Sequence, residues 1–151
     1  MRVSALLPVL ALWAAALSSP LAAQATLRVT SANISLPTPT VHEYDAGYSR
    51  IGELTYEVTG CPVGRSCSVG LWAASASFGA GLDIERVEWR LIGSRGDRWT
   101  PLSTLPSEDN VEVVGAEIAR GTIHFRVRLA WNEDVGGRSY LGHLRLGLTQ
   151  R

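Results

Sequence analysis

Five basic side chains near the end of the chain have the spacing that could create a binding surface. They are His124, Arg126, Arg128, His143 and Arg145. Residues that alternate in this way lie on one face of a β-strand. Two interpretations follow: a solvated face whose charges are balanced by acids such as Glu85, Glu88 and Glu112, or a basic surface for an acidic partner or a glycan. We expect the first, because charged strand faces are usually just solvated.

The acidic and hydroxyl side chains follow no catalytic or metal-binding pattern. The acids of residues 131–134 are not spaced as in a calcium loop. Asp83 with Glu85, or Glu108 with Asp109, could act as an acid–base pair only if the fold placed them across a cleft, and acids at turns are the simpler interpretation. The sequence contains neither a G-x-S-x-G elbow nor a nucleotide-binding glycine pattern. We therefore predict a protein that is not an enzyme, with no metal and no cofactor.

The two cysteines predict a disulfide. Cys61 and Cys67 are separated by five residues, and Pro62 and Gly64 suit a reversal of the chain between them. In an exported protein a disulfide is the expected state of such a pair. A metal or redox pair is the alternative, but no histidine lies nearby to complete a zinc site. We expect the bond to join the ends of two neighbouring strands.

The start of the chain has the pattern of a cleavable secretory signal peptide. Arg2 precedes an apolar run over residues 3–17, and Ala23-Gln24-Ala25 offers a small-residue cleavage site. We expect cleavage after Ala25, with cleavage after Ala23 or an uncleaved anchor as alternatives. Residues 1–25 are thus the predicted signal peptide and residues 26–151 a single domain, exported to the periplasm, the cell surface or the medium.

The charge of the mature chain is nearly balanced. Without Arg2 it has 13 basic residues, all arginine, and 14 acidic ones. This balance argues against a general role in binding polyanions, and we predict no nucleic-acid partner. No second apolar stretch is long enough for a membrane span in the mature chain.

Period-two alternation predicts seven or eight short strands and an all-β fold. The predicted strands cover residues 26–36, 53–61, 67–73, 87–91, 99–102, 111–118, 122–131 and 140–149. The last two predict a closing antiparallel hairpin, and residues 87–91 pair with 99–102 in a second hairpin. A change of parity near residues 31–33 predicts a bulge or a switch between sheets. We expect residues 42–48 to form a turn-rich connection, and Trp89 and Trp131 to anchor the core. Such a pattern is typical of an antiparallel β-sandwich or a small barrel.

Two stretches carry a family resemblance. Residues 54–61, with Cys67 to Leu71 after them, resemble the cysteine-bearing strand pair of spore coat protein U and related pilin-like secreted domains. Residues 137–146 are similar to the G-x-Y-x-G-x-L-x-L strand at the end of those domains. The resemblance implies an immunoglobulin-like sandwich exported with a periplasmic chaperone and used in surface fibres, biofilm or attachment. The disulfide of the family is not implied, because residues 26–53 lack its first cysteine.

Two functions follow as hypotheses. The first is a structural or adhesive subunit whose first strand completes its own sheet or adds to the sheet of a second copy or another subunit. The side chains that such an exchanged strand would insert are Leu27, Val29, Ile34 and Leu36. The second is a self-contained monomeric binding module that uses loops at one end as its contact surface.

Overall fold

Antiparallel strands in two sheets make up most of the described chain. The structure is a computed structural model and describes residues 24–77, 82–92, 98–106, 111–114, 118–132, 138–139 and 144–151. Most of the predicted signal peptide and the predicted site residue His143 lie outside the described residues, as do the candidate acids at positions 108, 109, 133 and 134. No helix within the described ranges is long and apolar enough to cross a membrane.

The strands are distributed unequally between the two sheets. They are β1 (Thr26–Leu36), β2 (Tyr48–Thr59), β3 (Ser66–Ala73), β4 (Val87–Leu91), β5 (Thr100–Pro101), β6 (Val111–Val114), β7 (Ile118–Arg128), β8 (Arg138–Ser139) and β9 (Leu144–Gln150). The six-stranded sheet has the order β5-β4-β7-β2-β1-β8, and the three-stranded sheet has the order β6-β3-β9. The all-β prediction is confirmed.

One hydrophobic core draws on both sheets. Leu54, Tyr56 and Val58 of β2 are buried as their alternation predicts, and so are Val69 and Leu71 of β3. Trp89 is also buried, at 4% exposure, and β4 pairs with β5 in the predicted second hairpin. Alternation identifies the inward face of each of these strands correctly because one face must be removed from water.

Two bulges interrupt the large sheet. The bulge between Val29 and Ser31 in β1 is the irregularity that the parity change predicts. A second bulge, between Arg50 and Gly52 in β2, was not predicted. Gly52 has φ 129°, and a Cβ atom there would lie 1.9 Å from the carbonyl oxygen of Asn33. This position therefore requires glycine.

The predicted closing hairpin is wrong. β7 lies in the six-stranded sheet between β4 and β2, whereas β9 lies in the three-stranded sheet beside β3. Both strands alternate because both face the shared core, from opposite sides. A period of two specifies which face of a strand is buried and does not specify the partner strand.

Two local predictions around the end of β7 are also wrong. Trp131 is 63% exposed, because β7 ends at Arg128 and the ladder does not continue to it. The segment predicted as a turn forms a helix, α1 (Val41–Ala46), which begins with a capping box between Thr40 and Glu43. A helix of six residues is too short to show a 3.6-residue period, although Thr-x-x-Glu is a helix-start signal.

The disulfide prediction is confirmed, and its position differs in one respect. Cys61 and Cys67 are bonded, with 6.0 Å between their Cα atoms, and both are buried. Cys61 follows β2 and Cys67 belongs to β3, so the bond joins the two sheets at one end of the core. The expectation that the bond joins two neighbouring strands is therefore wrong, because β2 and β3 belong to different sheets.

Candidate functional site

The outward face of the six-stranded sheet carries a cluster of arginine and aromatic side chains, here called the arginine–aromatic surface. It consists of Tyr48, Arg50, Glu88, Arg90, Trp99, Arg126 and Arg128. Alternation places all of these residues except Trp99 on the solvent side of β2, β4 and β7, opposite the core residues of the same strands. Trp99 directly precedes β5, so three neighbouring strands and this residue contribute to one surface.

Arg126 lies at the centre of this surface. In the ladder it faces Arg50 of β2 on one side and Glu88 of β4 on the other. Its Nε atom lies 2.6 Å from Oε2 of Glu88, and the two side chains are only 22% and 12% exposed. The ion pair is partly shielded from water, so its attraction is stronger than that of an exposed pair. The prediction that a neighbouring strand supplies a balancing acid is confirmed for Glu88.

Two aromatic rings also contact the Arg126 guanidinium. Its Cζ atom lies 4.8 Å from the ring centre of Tyr48 and 4.4 Å from that of Trp99. The guanidinium of Arg90 lies 4.7 Å from the ring centre of Trp99 as well. Distances of this size are those of cation–π interactions. The surface is therefore fixed by contacts that connect three strands and the residue before β5.

Arg128 connects this surface to the short 3₁₀ turn Ile84–Arg86 that precedes β4. Its Nη2 atom donates to the carbonyl oxygen of Glu85 at 2.6 Å, and Arg86 donates to the carbonyl oxygen of Arg128 through Nη2 at 2.6 Å and Nε at 3.1 Å. The pKa of Arg86 is lowered, first by burial and then by the charge of Arg128. The side chain of Arg128 nevertheless remains 54% exposed.

Other outward positions of the large sheet also form pairs of basic and acidic side chains. His124 Nε2 lies 3.3 Å from Oε2 of Glu53, and Arg120 Nε lies 2.9 Å from Oε2 of Glu57, which also faces Arg28 across β1. Over the described outward positions, arginines outnumber glutamates. The arginines are Arg28, Arg50, Arg90, Arg120, Arg126 and Arg128, and the glutamates are Glu53, Glu57 and Glu88. A chain of zero formal net charge thus presents a basic face.

Two further aromatic residues, Tyr44 and Trp131, border the arginine–aromatic surface near its member Tyr48. Tyr44 of α1 stacks on Trp131, with ring centres 5.2 Å apart and an angle of 26° between the planes. Tyr48 is 39% exposed and Trp131 is 63% exposed. The hydrogen bond from Leu129 N to Gly47 O, 2.9 Å long, keeps the end of β7 beside α1 and so places both aromatic groups at the same end of the sheet.

A pocket of about 610 Å³ opens on the other side of Arg128. Its wall includes Asp83, Glu85, Leu102 and Ser103. The volume is in the range of small-molecule sites. Two of its polar side chains already form hydrogen bonds within the fold: Asp83 accepts from the Glu85 amide at 3.0 Å, and Ser103 accepts from the Leu105 amide at 3.1 Å.

The predicted basic surface is divided by the fold. His124, Arg126 and Arg128 share the outward face of the large sheet, but Arg145 lies on the outward side of β9 in the small sheet, opposite Trp72. The predicted closing hairpin would have placed Arg126 roughly opposite Arg145, and this pairing does not form because the two residues lie in different sheets. Arg126 instead meets the like charge of Arg50.

The residues proposed for strand exchange belong to a strand that pairs within its own chain. β1 pairs with β2 from Thr26 to Ile34. Ile34 and Leu36 are each 1% exposed, Leu27 is partly buried, and Val29 is 45% exposed.

The sequence interpretation missed the residues that complete the site on the other strands. Tyr48 and Arg50 were placed in or after a turn, although Tyr48-Ser49-Arg50-Ile51 alternates as a strand does. Trp99 was assigned to a hairpin without a role. Only the pairing of β4 and β2 with β7 brings these side chains to Arg126.

Two searches for known features give negative results. Among the described residues, no group of three or more His, Cys, Asp or Glu side chains could hold a metal ion. Comparison of the chain with known protein families, curated proteins and solved structures finds no match.

Proposed function

We propose that this protein is a self-contained, non-enzymatic binding module with an immunoglobulin-like sandwich fold that acts after export. The carrying observation is that β1 pairs with β2 of the same chain while Ile34 and Leu36 lie in the shared core. Because Ile34 and Leu36 already fill the core of their own chain, they are not available for insertion into a second molecule. The contact surface in this proposal is the arginine–aromatic surface rather than the loops at one end.

The composition of that surface supports the proposal. Arginine, tryptophan and tyrosine are the residue types enriched where proteins bind partners. The side chains of Arg126 and Glu88 are held by an ion pair and by the rings of Tyr48 and Trp99, so little side-chain entropy is lost when a partner binds. The excess of arginines over glutamates favours an acidic partner.

An engineered cysteine pair tests whether β1 stays in its own chain. Arg28 and Glu57 face each other directly in the β1–β2 ladder. In the variant Arg28→Cys/Glu57→Cys, we expect a bond within one chain, seen as a monomer band on a non-reducing gel and loss of both new thiols. Light scattering on the same oxidised protein should give the monomer mass at every concentration.

The matched control uses cysteines that are not register partners. Arg65 lies in the loop between β2 and β3, and Arg28→Cys/Arg65→Cys should keep two reactive thiols. Exchange of β1 between molecules would instead link chains covalently in the 28/57 variant and give dimers or a ladder. That result would overturn the self-contained module.

A structural or adhesive role, in line with the resemblance to spore coat protein U and pilin-like domains, is the second candidate. It is favoured by the outer edge of β1, where β8 pairs only with Ser35 and Leu36. Over residues 26–34 no other described strand occupies this edge. A strand from another subunit or from a periplasmic chaperone could add there. Polymers of the oxidised Arg28→Cys/Glu57→Cys variant in which each chain keeps its own 28/57 bond would support this candidate.

The position of Ala25 bears on how the exported chain begins. Ala25 is only 9% exposed and packs in the core, and its Cα would lie 3.7 Å from a Cβ atom at Gly60. Cleavage after Ala25 would remove a buried residue that directly precedes β1. We therefore favour the alternative cleavage site after Ala23, and the mass of the secreted protein distinguishes it from cleavage after Ala25.

A further inference from the structure

We propose that Arg50 and its neighbours on the arginine–aromatic surface bind the carboxylate or sulfate groups of an acidic polysaccharide. This inference rests on the proposed function, because it names the ligand class for the same surface. It depends on three features: an available arginine, a like-charge contact that stability does not explain, and an exposed aromatic ring beside it.

Arg50 is the available arginine. Its side chain is exposed, and no described residue forms an ion pair or hydrogen bond with its guanidinium. Arg126, by contrast, is held by Glu88, and Arg128 donates to the carbonyl oxygen of Glu85. A planar guanidinium with five donors matches the paired oxygens of a carboxylate or sulfate group.

The position of Arg50 is unfavourable for the folded protein alone. It lies directly opposite Arg126 in the β2–β7 ladder, and like charges across a strand pair are destabilising. Glu88 compensates Arg126 from the far side, whereas no acid among the described residues forms an ion pair with Arg50. An anion placed over Arg50 would remove this repulsion. We therefore expect the loss of Arg50 to weaken binding without weakening the fold.

The neighbouring aromatic residue favours a saccharide over an acidic peptide. Tyr48 lies two residues before Arg50 on the same face and keeps 39% of its surface exposed. The exposed aromatic ring can pack against the apolar face of a sugar ring. The neighbouring guanidinium can pair with the acidic group of the same sugar. The surface is the face of a sheet, whereas peptide recognition commonly uses a sheet edge or an apolar groove.

A second arginine without a described partner indicates that the ligand is extended. Arg28 is exposed and has no ion pair or hydrogen bond with any described side chain. It faces Glu57, which lies seven residues beyond Arg50 along β2, so the two arginines are about 23 Å apart at a rise of roughly 3.3 Å per residue. A polymer with repeated acidic groups could reach both, whereas a single small anion could not.

The test measures binding of the oxidised, processed protein to defined probes at low salt. The probes are heparin fragments, which carry sulfate groups, and polygalacturonate fragments, which carry only carboxylates, with neutral dextran and polyglutamate for comparison. We expect Arg50→Ala to weaken binding to an acidic saccharide about tenfold, as for loss of one charged hydrogen-bonding group. Arg28→Ala should have a smaller effect, and only on long fragments.

The matched control removes the same charge elsewhere. Arg65 is exposed in the loop before β3, at the opposite end of β2 from Arg50. Arg65→Ala should leave affinity within about twofold, because it removes only long-range attraction that salt screens. The urea midpoint of Arg50→Ala should equal or exceed that of the wild type.

Three outcomes would overturn the inference. They are the absence of binding to both acidic saccharides, equal losses for Arg50→Ala and Arg65→Ala, and binding of polyglutamate as tight as that of the saccharides. The third outcome would indicate an acidic protein as the partner. None of them changes the result of the 28/57 cysteine pair, so failure of the ligand class and failure of the self-contained module are distinguishable.

Discussion

The two sheets contribute to the same core and differ on their outward faces. The outward face of the large sheet carries cross-strand ion pairs and stacked arginines around Arg126. On the small sheet the described outward positions include Ser68, Gly70 and Gly147, and the ring of Trp72 lies over Gly147. The first face is organised by charge pairs around Arg126, whereas the described part of the second combines small residues with Trp72 and Arg145.

This difference distinguishes the inward residues, whose apolar character the fold requires, from the outward residues, whose type the fold leaves open. The inward residues of both sheets are apolar because the core demands it. The outward residues are not constrained in that way, and on the large sheet they form a dense, partly buried network around Arg126. Variants that act on one sheet and not on the other test this separation.

The largest expected difference concerns two glycines, each covered by an aromatic side chain. A Cβ atom at Gly121 would lie 2.3 Å from the buried ring of Tyr56, and one at Gly147 would lie 2.7 Å from Trp72. Tyr56 is 1% exposed and cannot move away, whereas Trp72 lies on an outward face and can. We expect Gly121→Ala to cost about 3 kcal/mol and Gly147→Ala about 1 kcal/mol.

Urea unfolding of the two variants measures these costs. Neither Gly121 nor Gly147 has a positive φ, so the contact of the added Cβ atom with the aromatic ring, and not backbone strain, sets both costs. Equal costs for Gly121→Ala and Gly147→Ala would show that Trp72 is as confined as Tyr56. The proposed contrast between the buried and the outward ring would then be lost.

The next effect concerns the bond that connects the two sheets. Cys61→Ala/Cys67→Ala removes a crosslink with a sequence separation of 6, for which chain entropy predicts a loss of about 2 kcal/mol. We expect hydrogen exchange to increase more at the amides of β3 than at those of β7, because Cys67 belongs to β3 whereas β7 lies in the other, larger sheet and contains no cysteine of the bond. Equal increases in both strands would show that the sheets open as one unit.

The sequence predicts which face of a strand is buried better than it predicts which strands pair with each other. The inward positions of β2 and β3, the disulfide and the β4–β5 hairpin were all predicted correctly, because each depends on local alternation or on short spacing. The pairing of β7 with β2 and β4 joins segments far apart in the chain, and nothing in a period of two encodes it.

The candidate site depended on those unpredicted pairings. His124, Arg126 and Arg128 were identified as one face, and Glu88 was named among the acids that could balance it. Tyr48, Arg50 and Trp99 reach Arg126 only through tertiary pairing, so their roles were not accessible from the sequence. Arg145 was assigned to the wrong sheet for the same reason.

A smaller effect distinguishes the two outward faces directly. Arg126→Ala removes the ion pair with Glu88 and the contacts with Tyr48 and Trp99, and we expect a loss of about 1.5 kcal/mol. Arg145→Ala, on the outward side of β9, should change stability by less than about 0.5 kcal/mol. Thermal or urea unfolding measures both, and equal losses would contradict a special network on the large sheet.

The smallest expected effect concerns the helix attached to the large sheet. One carboxylate oxygen of Glu43 accepts from Oγ of the buried Ser49, and the other accepts from Thr40 N at 2.8 Å. These bonds, the one from Ser49 first, lower the pKa of Glu43 below its usual value of 4.5. Glu43→Gln should therefore cost about 0.5 kcal/mol at pH 7, at the low end of helix-cap contributions.

The pH dependence has a definite sign. Because the pKa is lowered on folding, the contribution of ionised Glu43 is complete above pH 4.5 and is lost as the pH falls through the folded-state value. Urea midpoints of wild type and Glu43→Gln should thus differ at pH 7 and converge at low pH. Asp45→Asn removes the same charge from an exposed position of α1 and is the control for net charge. A difference that persists undiminished at low pH would mean that Glu43 acts by packing, and that α1 holds the Tyr48 end of the large sheet without its charge.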